Sequence, residues 1–185
     1  MIAELRPLTR NDLLAMPDDG NRYEIIDGEL VVTPAPLARH QRALLQLTLL
    51  LYEFLEETDA GELFIAPFDV VLGTHDVVEP DLLIVAKEQG RVRGSQNAFE
   101  GPPRLVVEIL SPSSQRTDLV RKMALYARSG VPEYWIVDPD RQEVAVYVLA
   151  EGGFVSVAPD EHGAIASQVL PGLRLQPTEL FTDLD

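Results

Sequence analysis

Glu108 stands inside Arg104-Leu105-Val106-Val107-Glu108-Ile109-Leu110, an otherwise unbroken apolar run. Such a run reads as a strand covered on both faces. A carboxylate there must be paired, protonated or bound to a cation, because an isolated buried charge is costly. Asp81 opens a second apolar strand, Asp81-Leu82-Leu83-Ile84-Val85-Ala86. Two carboxylates on neighbouring buried strands are what a hard divalent cation needs. The competing reading is structural: Glu108 is salt-bridged to one of the chain's arginines and does no chemistry.

Asp118, Lys122 and Tyr126 follow at i, i+4 and i+8 on a predicted helix spanning 115–129. That spacing puts them close to one face. The helix starts directly after the strand of Glu108, near the strand's C-terminal end, where α/β sheets place their ligands. Lys122 can therefore reach a site shared by Asp81 and Glu108. A cation between carboxylates, with a lysine beside it, is the chemistry of phosphodiester hydrolysis. The bland alternative for Lys122 is an exposed lysine paired with Asp118. His40, at the start of a helix, is a general base, a phosphate contact or merely a cap. Tyr126 either bonds a site carboxylate or packs, and Trp135 belongs to the core.

The elements that must position these groups can be read in order. Thr9 to Met16 is a short helix with Thr9 as N-cap and Asp12 completing a capping box. Asp27-Gly28 between Tyr23–Ile26 and Glu29–Val32 signals a two-residue hairpin, with Ile26 opposite Glu29 and Glu24 opposite Val31. A helix from His40 to Glu57 is apolar almost all round, so it packs on a sheet or a partner. Leu63 to Leu72 gives one or two strands broken at Pro67. A polar loop covers Glu88 to Pro103, with Gly90, Gly94 and Gly101. The helix 115–129 stops at Gly130, its αL residue. Tyr134 to Val137 is a buried strand, parallel to that of Glu108 through the intervening helix. Glu143 to Leu149 returns antiparallel, a short strand follows at Phe154 to Val157, and Pro171 to Pro177 is extended. The result is an α/β core with a mixed sheet.

Composition narrows the possible roles. The chain has 185 residues, no cysteine and a formal net charge of −15. One domain is expected, without disulfides or thiolate chemistry. No apolar run reaches the roughly 18 residues of a membrane span, and Met1 to Arg10 lacks a signal-peptide core, so a cytoplasmic protein is expected. The acidity argues against strong non-specific binding to nucleic acid. Residues 87–128 are the exception. Lys87, Arg91, Arg93, Arg104, Arg116, Arg121, Lys122 and Arg128 there outnumber Glu88, Glu100, Glu108 and Asp118.

Four stretches together resemble one known family. They are Val78-Glu79-Pro80-Asp81, Leu105 to Ser113, Arg121-Lys122-Met123-Ala124-Leu125-Tyr126, and Gly130 to Pro139. Tyr23 to Leu30 and His40 match as well. The family is Uma2, once called DUF820, a branch of the PD-(D/E)XK nuclease superfamily. The resemblance implies a restriction-endonuclease-like αβββαβ core with a mixed sheet. An N-terminal β-hairpin and C-terminal strands extend it, within a single domain over residues 1–185. It implies cleavage of DNA with Mg²⁺, for which Mn²⁺ can substitute, and a homodimer. Asp81 matches the motif's aspartate and Glu108 its second acid, both as metal ligands. The motif's lysine belongs two residues after Glu108, where this chain has Leu110. In this branch it moves to the helix, as Lys122. Glu24 matches an N-terminal acid found beside the metal. The competing functional readings are an inactive module, binding nucleic acid or protein on the same fold, and a small-molecule phosphoesterase.

Overall fold

The computed structural model describes residues 6–90, 98–112, 114–115 and 117–182. The middle of the polar loop, with Arg91, Arg93 and Gly94, lies outside the described residues, as do Ser113 and Arg116.

A first helical turn, α1 (Arg10–Leu13), is closed by Asp12, whose carboxylate accepts the Thr9 N–H at 2.8 Å. The hairpin pairs β1 (Arg22–Ile26) with β2 (Glu29–Thr33) in the register the alternation predicts, Ile26 opposite Glu29 and Glu24 opposite Val31. Asp27 and Gly28 both take positive φ, 56° and 74°, as a twist-matched two-residue turn requires. Next come α2 (Ala38–Thr58), β3 (Gly61–Ile65), β4 (Asp69–Gly73), β5 (Asp76–Val78) and β6 (Leu82–Ala86). After β7 (Ala98–Glu100) and β8 (Leu105–Ile109), a π-helical segment Thr117–Lys122 runs into α3 (Met123–Ser129). Gly130 ends α3 in the left-handed region. The chain closes with β9 (Glu133–Asp138), β10 (Glu143–Ala150), β11 (Gly153–Val157), β12 (Ile165–Ala166), β13 (Arg174–Leu175) and α4 (Pro177–Leu180).

The strands form two larger sheets. One has six strands in the order β11-β10-β9-β8-β6-β3; β8 and β9 run parallel and the remaining pairs antiparallel. Here α2, β3, β6, β8, α3 and β9 give the expected αβββαβ order. The other sheet has five strands, β2-β1-β5-β4-β7. Alternation along β6 and β8 divides the core. Leu82, Ile84, Leu105 and Val107 pack with α2 on one face of the six-stranded sheet. Leu83, Val85, Val106 and Leu110 pack on the other, with Leu125, Tyr126 and residues of the five-stranded sheet.

Four expectations need correcting. The hairpin belongs to a sheet of its own, because β5, too short to stand out, pairs with β1 at Ile25–Val77. Part of the predicted polar loop is β7, which pairs with β4. The helix over 115–129 begins in π rather than α geometry. Finally, α2 is not covered all round. Ala43, Leu44, Leu47, Leu51 and Leu55 are buried, whereas Leu45, Leu49 and Tyr52 are exposed.

A buried cluster of acids around one lysine

The antiparallel ladder of β6 and β8 positions the two acids. Leu82 faces Val107, so one step further Asp81 stands opposite Glu108. Residues opposite one another in such a ladder share a face, with Cβ atoms about 5 Å apart. Glu108 and Asp81 are each 1% exposed.

Lys122 fills the space in front of Glu108. Its Nζ lies 2.9 Å from Glu108 Oε1, 2.8 Å from Glu24 Oε1 and 3.6 Å from Asp118 Oδ1. The lysine is itself 1% exposed, which excludes the solvated lysine–aspartate pair. The π segment turns Asp118 and Lys122 inward together. π turns of this kind occur often at functional sites. The Tyr126 hydroxyl also donates to Glu108 Oε1, at 2.7 Å.

Asp81 is held from three sides. Arg22 donates to Oδ1 at 2.8 Å, the Ile109 N–H to Oδ2 at 2.7 Å, and His40 Nε2 sits 3.1 Å from Oδ2. Arg22 reaches Glu79 as well, at 3.0 Å, and the Glu79 N–H donates to Glu24 Oε1 at 2.8 Å. Arg22 and Glu24 are two apart on β1 and so face the same way. Thus Asp81, Glu108, Lys122, Glu24 and His40, the five residues singled out in the sequence, come together.

Arg22 and Glu79 complete the cluster without having been foreseen. Arg22 begins a strand beside a turn, where an arginine is unremarkable. The signal that could have found it is its spacing two residues before Glu24, which gives both side chains one face.

The electrostatics follow from counting charges. Burial raises the Glu108 carboxyl well above its ordinary value; Lys122 opposes this, while Asp118, Asp81 and Glu24 add to it. Burial also raises Asp118, against Lys122. Burial lowers Lys122, but Glu108, Glu24 and Asp118 more than reverse it, so the ammonium stays charged. At Asp81, burial is outweighed by the His40 hydrogen bond, the Arg22 charge and the Ile109 amide, and the carboxyl lies below its usual range. These directions agree. Lys122 and Arg22 face five acids, Glu24, Glu79, Asp81, Glu108 and Asp118, so negative charge is in surplus and a proton or another cation would offset it. Among the described residues, the two buried oxygens of Asp118 have no hydrogen-bond partner, and Lys122 Nζ stands 3.6 Å from Oδ1. That is where the shortage is most visible.

A cavity of about 590 Å³ adjoins the cluster at Arg22, His40 and Glu79, while Asp81, Glu108 and Lys122 stay behind its wall. Tyr23, Leu44 and Pro67 line it as well.

Among the described residues, no group of three or more histidines, cysteines or acids converges as a ready-made metal site. The donors nevertheless fit a hard divalent cation. They are carboxylate oxygens in surplus, on adjacent strands, and Mg²⁺ is commonly held by one or two carboxylates while it keeps several waters.

A family model described as "Uma2: Putative restriction endonuclease" matches residues 10–178. A comparison with curated proteins gave no match. Among solved structures, the fold is similar to a "putative nuclease belonging to DUF820 from Anabaena variabilis ATCC 29413". The TM-score is 0.79 at 21% identity, covering 96% of this chain and 99% of that one. No described helix is long and apolar enough to cross a membrane.

Proposed function

From the premise that this chain belongs to the Uma2 family, we propose that it is an endonuclease that hydrolyses phosphodiester bonds in DNA with Mg²⁺. The observation that carries this reading is the Lys122 ammonium, buried between Glu108, Glu24 and Asp118 on the strand pair that also presents Asp81. A purely structural salt bridge needs one acid for one lysine. Here the acids outnumber the lysine, and a cation-dependent hydrolase has a use for the surplus.

In this reading Asp81 and Glu108 hold the metal, which when bound polarises the phosphoryl group and acidifies a water. Arg22 and His40 set the orientation of Asp81, while Tyr126 and Lys122 set that of Glu108. Lys122 Nζ carries three protons and can donate toward an attacking water or a non-bridging oxygen as negative charge develops there. It takes the part of a lysine at position 110, where Leu110 is a core residue 8% exposed. Glu24 keeps the ammonium charged and in place. His40 Nδ1 is buried and, among the described residues, has no hydrogen-bond partner. Beside Asp81 and on the cavity wall, His40 is placed to serve as a general base or a phosphate contact. The single-domain reading of the chain is supported by the contribution of both large sheets to the same centre.

The test is cleavage of single- and double-stranded DNA by the purified protein with Mg²⁺, Mn²⁺ or EDTA. Metal-dependent cleavage that Asp81→Asn abolishes is expected. The engagement of Asp81 by Arg22, His40 and the Ile109 amide, together with the acidity of the chain, favours one rival, a binding module without catalysis. If no DNA is cut under any of these conditions, that rival takes over.

A further inference from the structure

The donors around the two candidate metal ligands are distributed differently. Both side-chain donors to Glu108, Lys122 and Tyr126, converge on Oε1. The donors to Asp81 are spread over both oxygens, the Ile109 amide and His40 on Oδ2 and Arg22 on Oδ1. A cation that binds Asp81 therefore meets one of these groups. The Ile109 amide is fixed in the backbone of β8. An imidazole can shed its proton and with it its charge. A guanidinium is always charged, and two positive charges on one buried oxygen repel strongly. Arg22 is thus the donor that conflicts with a cation.

Its position gives it somewhere to go. The Arg22 side chain is 17% exposed and lies on the cavity wall, whereas Asp81 is behind that wall. The guanidinium is held at two points, Nε 3.0 Å from Glu79 Oε1 and Nη2 2.8 Å from Asp81 Oδ1. Glu79 also lines the cavity, so Nε has an anchor there that does not depend on Asp81. One contact can be given up while the other is kept. Arg22 is moreover the only lysine or arginine among the described residues lining the cavity, against Asp18, Asp69 and Glu79. A phosphate that enters finds one side-chain cation of fixed charge, and its planar fork matches phosphate oxygens.

Resting on the nuclease reading, we propose that Arg22 is an exchangeable counter-ion. It holds Asp81 Oδ1 in the metal-free protein, yields that oxygen to a divalent cation, and turns on its Glu79 anchor into the cavity to contact the substrate's phosphate. Metal and DNA then favour the same arrangement of one residue, so each strengthens the binding of the other.

One substitution should move the two affinities in opposite directions. In calorimetric titration without DNA, Arg22→Gln should bind Mn²⁺ about tenfold or more tightly than wild type, because the competing charge is gone. Arg22→Lys, which keeps a charge, should stay closer to wild type. In saturating Ca²⁺, fluorescence anisotropy should show Arg22→Gln binding a short DNA strand about tenfold more weakly. A merely structural arginine would give weaker binding of both. The unaltered chain provides a check that does not depend on a variant's fold. Its Arg22 Nη protons, assigned in nitrogen-15 NMR spectra by their loss in Arg22→Lys, should exchange slowly with solvent in EDTA and fast with saturating Mg²⁺. If wild type binds Mn²⁺ and Arg22→Gln binds it no more tightly, or if those protons do not respond to Mg²⁺, the exchange is overturned and the nuclease reading stands. Equal DNA affinity of the two proteins overturns the phosphate contact. If neither protein binds Mn²⁺, the metal leaves the proposed function and the exchange falls with it.

Discussion

At the scale of single residues, the cluster predicts effects of opposite sign from neighbouring substitutions. Lys122→Ala leaves Glu24 and Glu108 buried without their cation. Stability should fall by about 3–5 kcal/mol, and DNA cleavage by about a hundredfold or more. Urea titration and single-turnover cleavage read the two losses separately. Glu108→Gln should do the reverse to stability. The Glu108 carboxyl is raised in the fold, by burial first and then by neighbouring acids. Its ionised form is therefore disfavoured in the folded state. The destabilisation is absent below the ordinary glutamate range and grows as pH rises from there toward the raised value. In EDTA, the wild-type melting temperature should decline above about pH 4.5, and Glu108→Gln should melt higher than wild type at pH 8. A lower melting temperature for that variant would make the Glu108–Lys122 contact an ordinary stabilising pair. Asp81 works the other way. Its lowered carboxyl adds stability above the usual aspartate range, and that stability is lost as pH falls below it.

At the scale of elements, Lys122→Met combined with Leu110→Lys tests whether strand and helix are interchangeable sources of the ammonium. Position 110 shares a strand face with Glu108. A lysine there should recover part of the lost cleavage rate in the same assay, and no recovery would mean that only the helical approach aligns the group. This comparison also shows what the sequence made legible. Asp81 and Glu108 stood out because a charge interrupts an apolar run. Lys122 stood out because helical spacing ties it to Asp118 and Tyr126. The hairpin register followed from alternation and Asp27-Gly28 alone. Arg22 and Glu79 stayed hidden because β1 reaches the centre through β5, a three-residue strand that contacts it at a single pair. Pairing between short, distant strands leaves no periodic trace. The exposed stripe Leu45, Leu49 and Tyr52 of α2 was hidden for the converse reason. A helix apolar all round does not say which face the core takes until a sheet is placed beneath it.

For the whole molecule, metal and nucleic acid should act in different ways. Mn²⁺ at a hundred times its dissociation constant should stabilise the fold by about 2.7 kcal/mol, a gain Asp81→Asn removes, as thermal melts with and without chelator would show. A chain with net charge −15 offers few cations to phosphates. The slope of log affinity for DNA against log salt should therefore be shallower than about −3, measured by fluorescence anisotropy with Ca²⁺ in place of Mg²⁺. A slope near −8 would point to a concentrated basic surface meeting the phosphates.

Lys122 touches β1 through Glu24, β8 through Glu108 and its own helical turn through Asp118. This has a consequence for the protein's life before it is finished. Synthesis runs from the N-terminus, and domains fold as units once enough chain has emerged. Glu24, His40, Asp81 and Glu108 all leave the ribosome before Lys122. Until it follows, Glu24 and Glu108 lack the ammonium that they share. On the proposed function, a nascent or truncated chain ending before residue 122 lacks the group that would act on the attacking water, so cleavage would wait until both sheets and the helix are made.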